Sequence, residues 1–101
     1  MFVQIRGRRI DISQAMRRQV HLRILRPLRR RQEHLAQMLI WLKDLKGPRG
    51  GVDKICQVEL ELAARRQIII REQDADLYRA IGRAGERLKL SIRRRIEARS
   101  R

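Results

Sequence analysis

Arg79, Arg83, Arg87 and Arg94 recur at spacings that, on a helix, bring four guanidinium groups within about 80° of one another. A guanidinium is a planar fork that grips phosphate oxygens two at a time, whereas the Lys ammonium is a compact, strongly hydrated point charge. The chain's cations are mostly of the first kind: of 26 Lys+Arg, 22 are Arg, and only Lys43, Lys46, Lys54 and Lys89 are Lys. Upstream, Arg17, Arg18, Arg23 and Arg26 lead into Arg29, Arg30 and Arg31, and Arg8 and Arg9 beside Gly7 make a third group. Such stripes can follow a phosphate backbone, each contact adding salt-sensitive affinity by releasing counterions. The competing reading is a solvated helix face, but only Glu86 and Glu97 interrupt the last stripe, and idle faces usually alternate signs. Part of the Arg93, Arg94, Arg95 run also complements the negative C-terminal end of a helix.

Other chemistry is missing from the pattern. His21 and His34 lie thirteen residues apart with no paired acid motif. No Cys/His metal spacing, phosphate-cradling Gly-rich loop or nucleophile motif is present. The lone Cys56 rules out an internal disulfide, fits a reducing compartment and reads as a small core residue. The expectation is a non-enzymatic protein with no cofactor and no metal.

Behind these residues stands a chain of 101 residues, 43% of them hydrophobic, long enough for one domain over residues 1–101 with a modest core. Its formal net charge is +15, with 11 Asp+Glu against the 26 cations. A bias of codon usage explains Arg in place of Lys, but not so large an excess of one sign, so a nucleic-acid partner is expected. No stretch approaches the roughly 18–20 apolar residues of a membrane span, and no apolar run follows the N-terminal arginines as in a secretory signal. Cytoplasmic residence is expected.

Phe2 to Arg9 alternates apolar and polar, a short strand with Gly7 near its end. Ser13 is a natural N-cap for a helix carrying Met16, Val20 and Ile24 on one face, which Pro27 is expected to end or kink. Leu35 to Leu45 is a nearly unbroken apolar run, read as a strand buried on one side and partly covered on the other. Gly47 to Gly51 reads as a loop. In Ile55 to Leu62, Cys56, Val58, Leu60 and Leu62 point one way and Gln57, Glu59 and Glu61 the other. A turn near Ala64-Arg65 leads to a fourth strand at Gln67 to Arg71.

Asp74 is read as the cap of a last helix whose apolar face is Leu77, Ile81, Ala84, Leu88 and Ile92. Gly82 and Gly85 each cost that helix about 1 kcal/mol relative to Ala, a cost expected to reflect close packing on the sheet. Residues 96–101 are expected to form a disordered basic tail. The order is β-α-β-β-β-α, an α+β domain with two helices on one face of a four-stranded sheet.

Charge is uneven along this order. Residues 1–51 carry thirteen Lys+Arg against three acids, and residues 79–101 nine against two, while residues 52–78 carry four against six. The helices and first strand are therefore expected to be basic and the outer sheet face around Glu59 and Glu61 not. The only aromatics are Phe2, Trp41 and Tyr78, and Trp41, inside the apolar run, is read as core. Single-strand binders usually stack bases on several exposed aromatics, so recognition of a structured RNA by shape and backbone is favoured.

Two motifs carry a specific likeness. Ile5-x-Gly7-x-x-Ile10-x-Ile12-Ser13-x-Ala15-Met16-Arg17 and, later, Asp74-x-Asp76-Leu77-Tyr78-x-Ala80-Ile81, with Leu88, Ile92 and Arg93-Arg94 beyond, stand in order along nearly the whole chain. In them the chain resembles the ribosome hibernation-promoting factor family, also called ribosome-associated inhibitors or sigma-54 modulation proteins. It differs in having Gly82 where Asp or Asn is usual, Gly85 at an apolar position, Ala64-Arg65 in place of a Gly-containing turn, and Pro27 in the first helix. The resemblance implies a layout like that of double-stranded-RNA-binding domains. It also implies docking on the small ribosomal subunit between head and body, and a block of translation by filling the space of mRNA and tRNA. It further implies RNA-binding roles for Arg17, Arg23, Arg26 and Arg29 in the first helix and for Arg87, Arg93 and Arg94 in the second. Arg79 and Arg83 join them from the charge pattern. A short form without the C-terminal dimerisation domain of long members is expected, and a monomer, unless the apolar run at Met38 to Leu42 shelters a dimer edge.

Two other readings remain open at this level: a structured-RNA-binding module acting away from the ribosome, and a regulatory domain that contacts an acidic partner protein.

Overall fold

The computed structural model describes residues 1–45 and 51–100, with side chains as far as residue 95. The chain runs β1 (Phe2–Arg8), α1 (Gln14–Val20), a π-helical turn (His21–Leu25), a 3-10 segment (Arg26–His34), β2 (Leu35–Asp44), β3 (Lys54–Leu62), β4 (Gln67–Asp74) and α2 (Leu77–Ser100). The strands form one sheet in the order β1-β2-β3-β4, β1 parallel to β2 and the other neighbours antiparallel. The expected α+β order is therefore what the chain adopts. The loop read at Gly47 to Gly51 lies, apart from Gly51, outside the described residues.

The first helical run starts as its residues dictate. Ser13 Oγ accepts the Met16 N–H at 3.1 Å, and the Met16 sulfur accepts the Ser13 N–H in return. Pro27 does not end the run. The backbone instead widens into the π-turn, in which the Arg26 N–H donates to the His21 carbonyl, and then tightens into 3-10 geometry with Pro27 in its first turn. A change of pitch avoids the clash that a continued α-helix would force between the Pro27 ring and the carbonyl four residues back. The run breaks from helical dihedrals only at Arg31.

Alternation places Met38, Ile40 and Leu42 of β2, and Cys56, Val58 and Leu60 of β3, on the helix-covered face, all almost fully buried. Val20, Ile24 and Leu28 come down on them from the first helical run, and Ile81, Leu88 and Ile92 from α2. Each such side chain contributes about 1.5–3 kcal/mol through removal from water. At β3–β4 the Leu62 N–H donates to the Arg66 carbonyl and Arg65 takes φ 62°, a conformation at which glycine sits without strain.

The start of α2 differs from the expectation. β4 extends to Asp74, whose carboxylate accepts the Asp76 N–H at 2.8 Å. Asp76 performs the capping, taking the Tyr78 N–H at 2.9 Å. At the far end the helical backbone runs through Ser100, into the stretch expected as a tail. Gly82 and Gly85 face the first helical run rather than the sheet. A Cβ on Gly85 would collide with the Arg23 carbonyl oxygen, and one on Gly82 would meet the Arg23 guanidinium. Arg23 precedes Pro27 by four residues, so the two helices cross most closely where proline has altered the pitch.

Candidate nucleic-acid interface

The expected arginines separate into two groups according to their partners. Arg83 Nη2 lies 2.7 Å from the Asp74 carboxylate and donates to the Gln73 carbonyl at 2.9 Å, while its Nε stands 3.6 Å from Glu72. Arg87 Nη1 lies 2.9 Å from Glu72 and donates to the Arg71 carbonyl at 3.2 Å. Just over two turns beyond, Arg95 donates to the Gln67 carbonyl at 3.2 Å. These side chains lace α2 to the outer edge of β4, satisfying carbonyls that an edge strand would otherwise offer to another chain. Glu72 retains only 16% side-chain exposure beneath the two guanidiniums that meet it. Arg83 and Arg87 thus have a structural occupation.

Arg79 is freer, 77% exposed and 3.9 Å from Asp76. With Arg23, Gln19, Tyr78, Arg83 and Glu86 it borders a groove of about 430 Å³ between the first helical run and α2. Arg26 and Arg29 converge from the 3-10 segment with Arg30, Pro27 and Lys89 on a second open depression, of about 500 Å³. Arg26 and Arg29 also reach a third hollow beside His21 and Gln32. Arg17 and Arg94 are exposed but line none of these hollows, and Arg93 is exposed with an interaction of its own inside the protein. Arg30 belongs to the basic group read from the sequence, whereas Lys89 escaped that reading. Lys89 sits off the Arg79–Arg94 stripe, and only the crossing of the two helices brings it to Arg26.

Lys54 lies 3.1 Å from Asp44 and 3.2 Å from Asp53, and the hydrogen bond to Asp44 is the largest cause of its raised pKa. Burial, reinforced by the Glu72 charge, pushes the Cys56 thiol up to about 12, so it is neither thiolate nor nucleophile near neutrality. Among the described residues no group of three or more His, Cys, Asp or Glu is arranged to hold a metal ion. Among the described residues no helix is long and apolar enough to cross a membrane.

The opposite sheet face departs from expectation. Trp41 is not in the core: it stands half-buried on the helix-free side, with Arg6 Cζ 5.9 Å and Lys43 Nζ 5.5 Å from its ring centroid. β2 reads as a nearly continuous apolar run because Leu39 and Trp41 are apolar on that side too.

A four-stranded sheet covered on one side by two helices, whose outer surface gathers guanidiniums into open hollows, defines a small α+β domain. The chain belongs to the sigma 54 modulation protein / S30EA ribosomal protein family, whose sequence pattern matches residues 3–100. It is similar to the N-terminal domain of Protein Y from Thermus thermophilus, at 28% identity over 93% of this chain and 96% of that one, with a TM-score of 0.71. A ribosomal subunit interface protein from Coxiella burnetii shares the fold, with a TM-score of 0.78 at 20% identity over 96% of this chain and 99% of that one. No curated protein matches the chain in sequence. The family likeness carried by the Ile5–Arg17 and Asp74–Ile81 motifs is thus borne out.

Proposed function

We propose that this protein is a hibernation factor that docks its helical layer on the rRNA of the small ribosomal subunit and silences translation by filling the mRNA and tRNA channel. The observation that carries the reading is the convergence of Arg26, Arg29, Arg30 and Lys89 on one open depression, with no ion pair to any of them among the described residues. Arg17, Arg79 and Arg94 extend that surface along both helices. Family membership supports it, as do relatives described as a Protein Y domain and a ribosomal subunit interface protein. Inhibition requires occupancy alone: each guanidinium fork takes two phosphate oxygens, and the rigid sheet behind holds the spacing. Arg83 and Arg87 act one step back, fixing α2 against β4 so that the free arginines keep their places.

The test is co-sedimentation with ribosomes at low and moderate salt, with and without nuclease. The wild type is expected in the small-subunit fraction, and Arg26→Gln/Arg29→Gln/Arg94→Gln to shift to the supernatant with its melting temperature unchanged. Equal pelleting with both subunits and bulk RNA would leave the fold assignment standing and remove the ribosome from the function.

A further inference from the structure

Strand register arranges the helix-free face in rows. Arg6, Trp41, Gln57 and Arg71 form one row across all four strands, and Arg8, Lys43, Ile55 and Gln73 the next. Four cations and the only tryptophan therefore share a patch about 7 Å long and about 15 Å wide. Among the described residues none of Arg6, Arg8, Lys43 and Arg71 meets a carboxylate. Arg6, Lys43 and Arg71 instead make single long bonds, each 3.4 Å, to the neutral amides of Gln4, Gln57 and Gln73. The contrast with Arg83 and Arg87 is plain: those are paired and these are not. The acids of this face, Glu59 and Glu61, occupy the two rows beyond, where Gln57 and Gln37 hold them at 3.1 and 2.7 Å.

Such a patch selects its occupant. A net charge of +15 opposes a second copy of the chain and favours a polyanion. A duplex hides its base faces, whereas an unpaired strand offers them to an aromatic ring with phosphates on either side. We infer that the helix-free face is a second RNA contact, taking unpaired nucleotides with one base stacked on Trp41 and the adjoining phosphates on Arg6, Arg8, Lys43 and Arg71. The long stems of Arg6 and Lys43 let the charges that now cover the ring swing outward onto phosphate. Glu59 and Glu61 confine the strand to the basic end, so it crosses the β-strands rather than following them. This contact is independent of the helical one and lies on the opposite side of the domain; with both engaged, the protein bridges two RNA segments.

Trp41 reports on its own site, being the sole tryptophan. The full chain is titrated with an eight-nucleotide oligouridylate and, separately, with inorganic polyphosphate of equal charge. Saturable quenching by the oligonucleotide and none by polyphosphate is expected. Arg6→Gln/Lys43→Gln/Arg71→Gln should weaken the oligonucleotide at least tenfold. Arg26→Gln/Arg29→Gln/Arg94→Gln, which lowers net charge equally, should leave it within about threefold. Retained quenching in a variant that no longer pellets with ribosomes would separate this contact from the proposed function. Three results would overturn the inference: no quenching of the wild type, equal quenching by polyphosphate, or equal loss in the two triple variants. Concentration-dependent sedimentation of the free protein that the sheet variant abolishes would overturn it too, by assigning the face to a second copy.

Discussion

Asp74 shows how one side chain joins several elements. It ends β4, accepts the Asp76 N–H that prepares the start of α2, and receives the Arg83 guanidinium. The Asp76 hydrogen bond is the main cause of its lowered pKa, with the Arg83 charge adding to it against the cost of desolvation. A carboxylate held below its unfolded value, about 3.9, stabilises the fold fully above that value and loses the contribution as pH falls through the folded one. Asp74→Asn is therefore expected to lower stability at pH 7 and to match the wild type near pH 2, as followed by urea unfolding across the range. A gap that stays constant with pH would assign the loss to geometry rather than charge. The same neighbourhood shows what the sequence left hidden. The helical wheel groups Arg79, Arg83 and Arg87 correctly, but Glu72 and Asp74, which claim Arg83 and Arg87, belong to β4, and no helical periodicity reveals a partner on another element.

At the scale of elements, strands with one wet face were legible because alternation records which side meets water. β3 shows it clearly, with Gln57, Glu59 and Glu61 opposite Cys56, Val58 and Leu60. β2 hid Trp41 because apolar residues on both faces erase the alternation. The glycines of α2 were legible as a cost but not as a contact, since the neighbour that explains them is Arg23 on the first helical run. The two glycines should respond oppositely to alanine. At Gly85 the new Cβ would strike the Arg23 backbone, and overpacking of about 1–3 kcal/mol outweighs the gain in helix propensity of about 1 kcal/mol. At Gly82 it would stand 3.0 Å from the end of the Arg23 side chain, which can turn aside. Gly85→Ala is thus expected to lower the melting temperature and Gly82→Ala to leave it level or raise it. Equal effects would mean that the helices do not cross as closely as Gly85 requires.

Over the whole molecule, one quantity sets two responses to salt with opposite signs. A charge of +15 on a domain this small repels itself in the folded state more than in the expanded chain, so screening should stabilise the free protein. The Debye length falls from about 30 Å at 0.01 M to about 10 Å at 0.1 M, shorter than the distance across the domain, so most of the gain should come in that range. RNA binding moves the other way. Five phosphate contacts, each worth roughly 0.7–0.9 in the logarithmic slope, would lose affinity on the order of a few hundredfold between 50 and 200 mM salt. The melting temperature of the free protein is accordingly expected to rise over the range in which the ribosome-bound fraction falls. Thermal unfolding and sedimentation at matched salt concentrations test this together, and the opposed trends exclude unfolding as the cause of release. A melting temperature that falls with salt would mean that local pairs, Arg83 with Asp74 and Arg87 with Glu72, outweigh the global repulsion. The exposed arginines would then cost the fold little, and their number would have to be explained by binding alone.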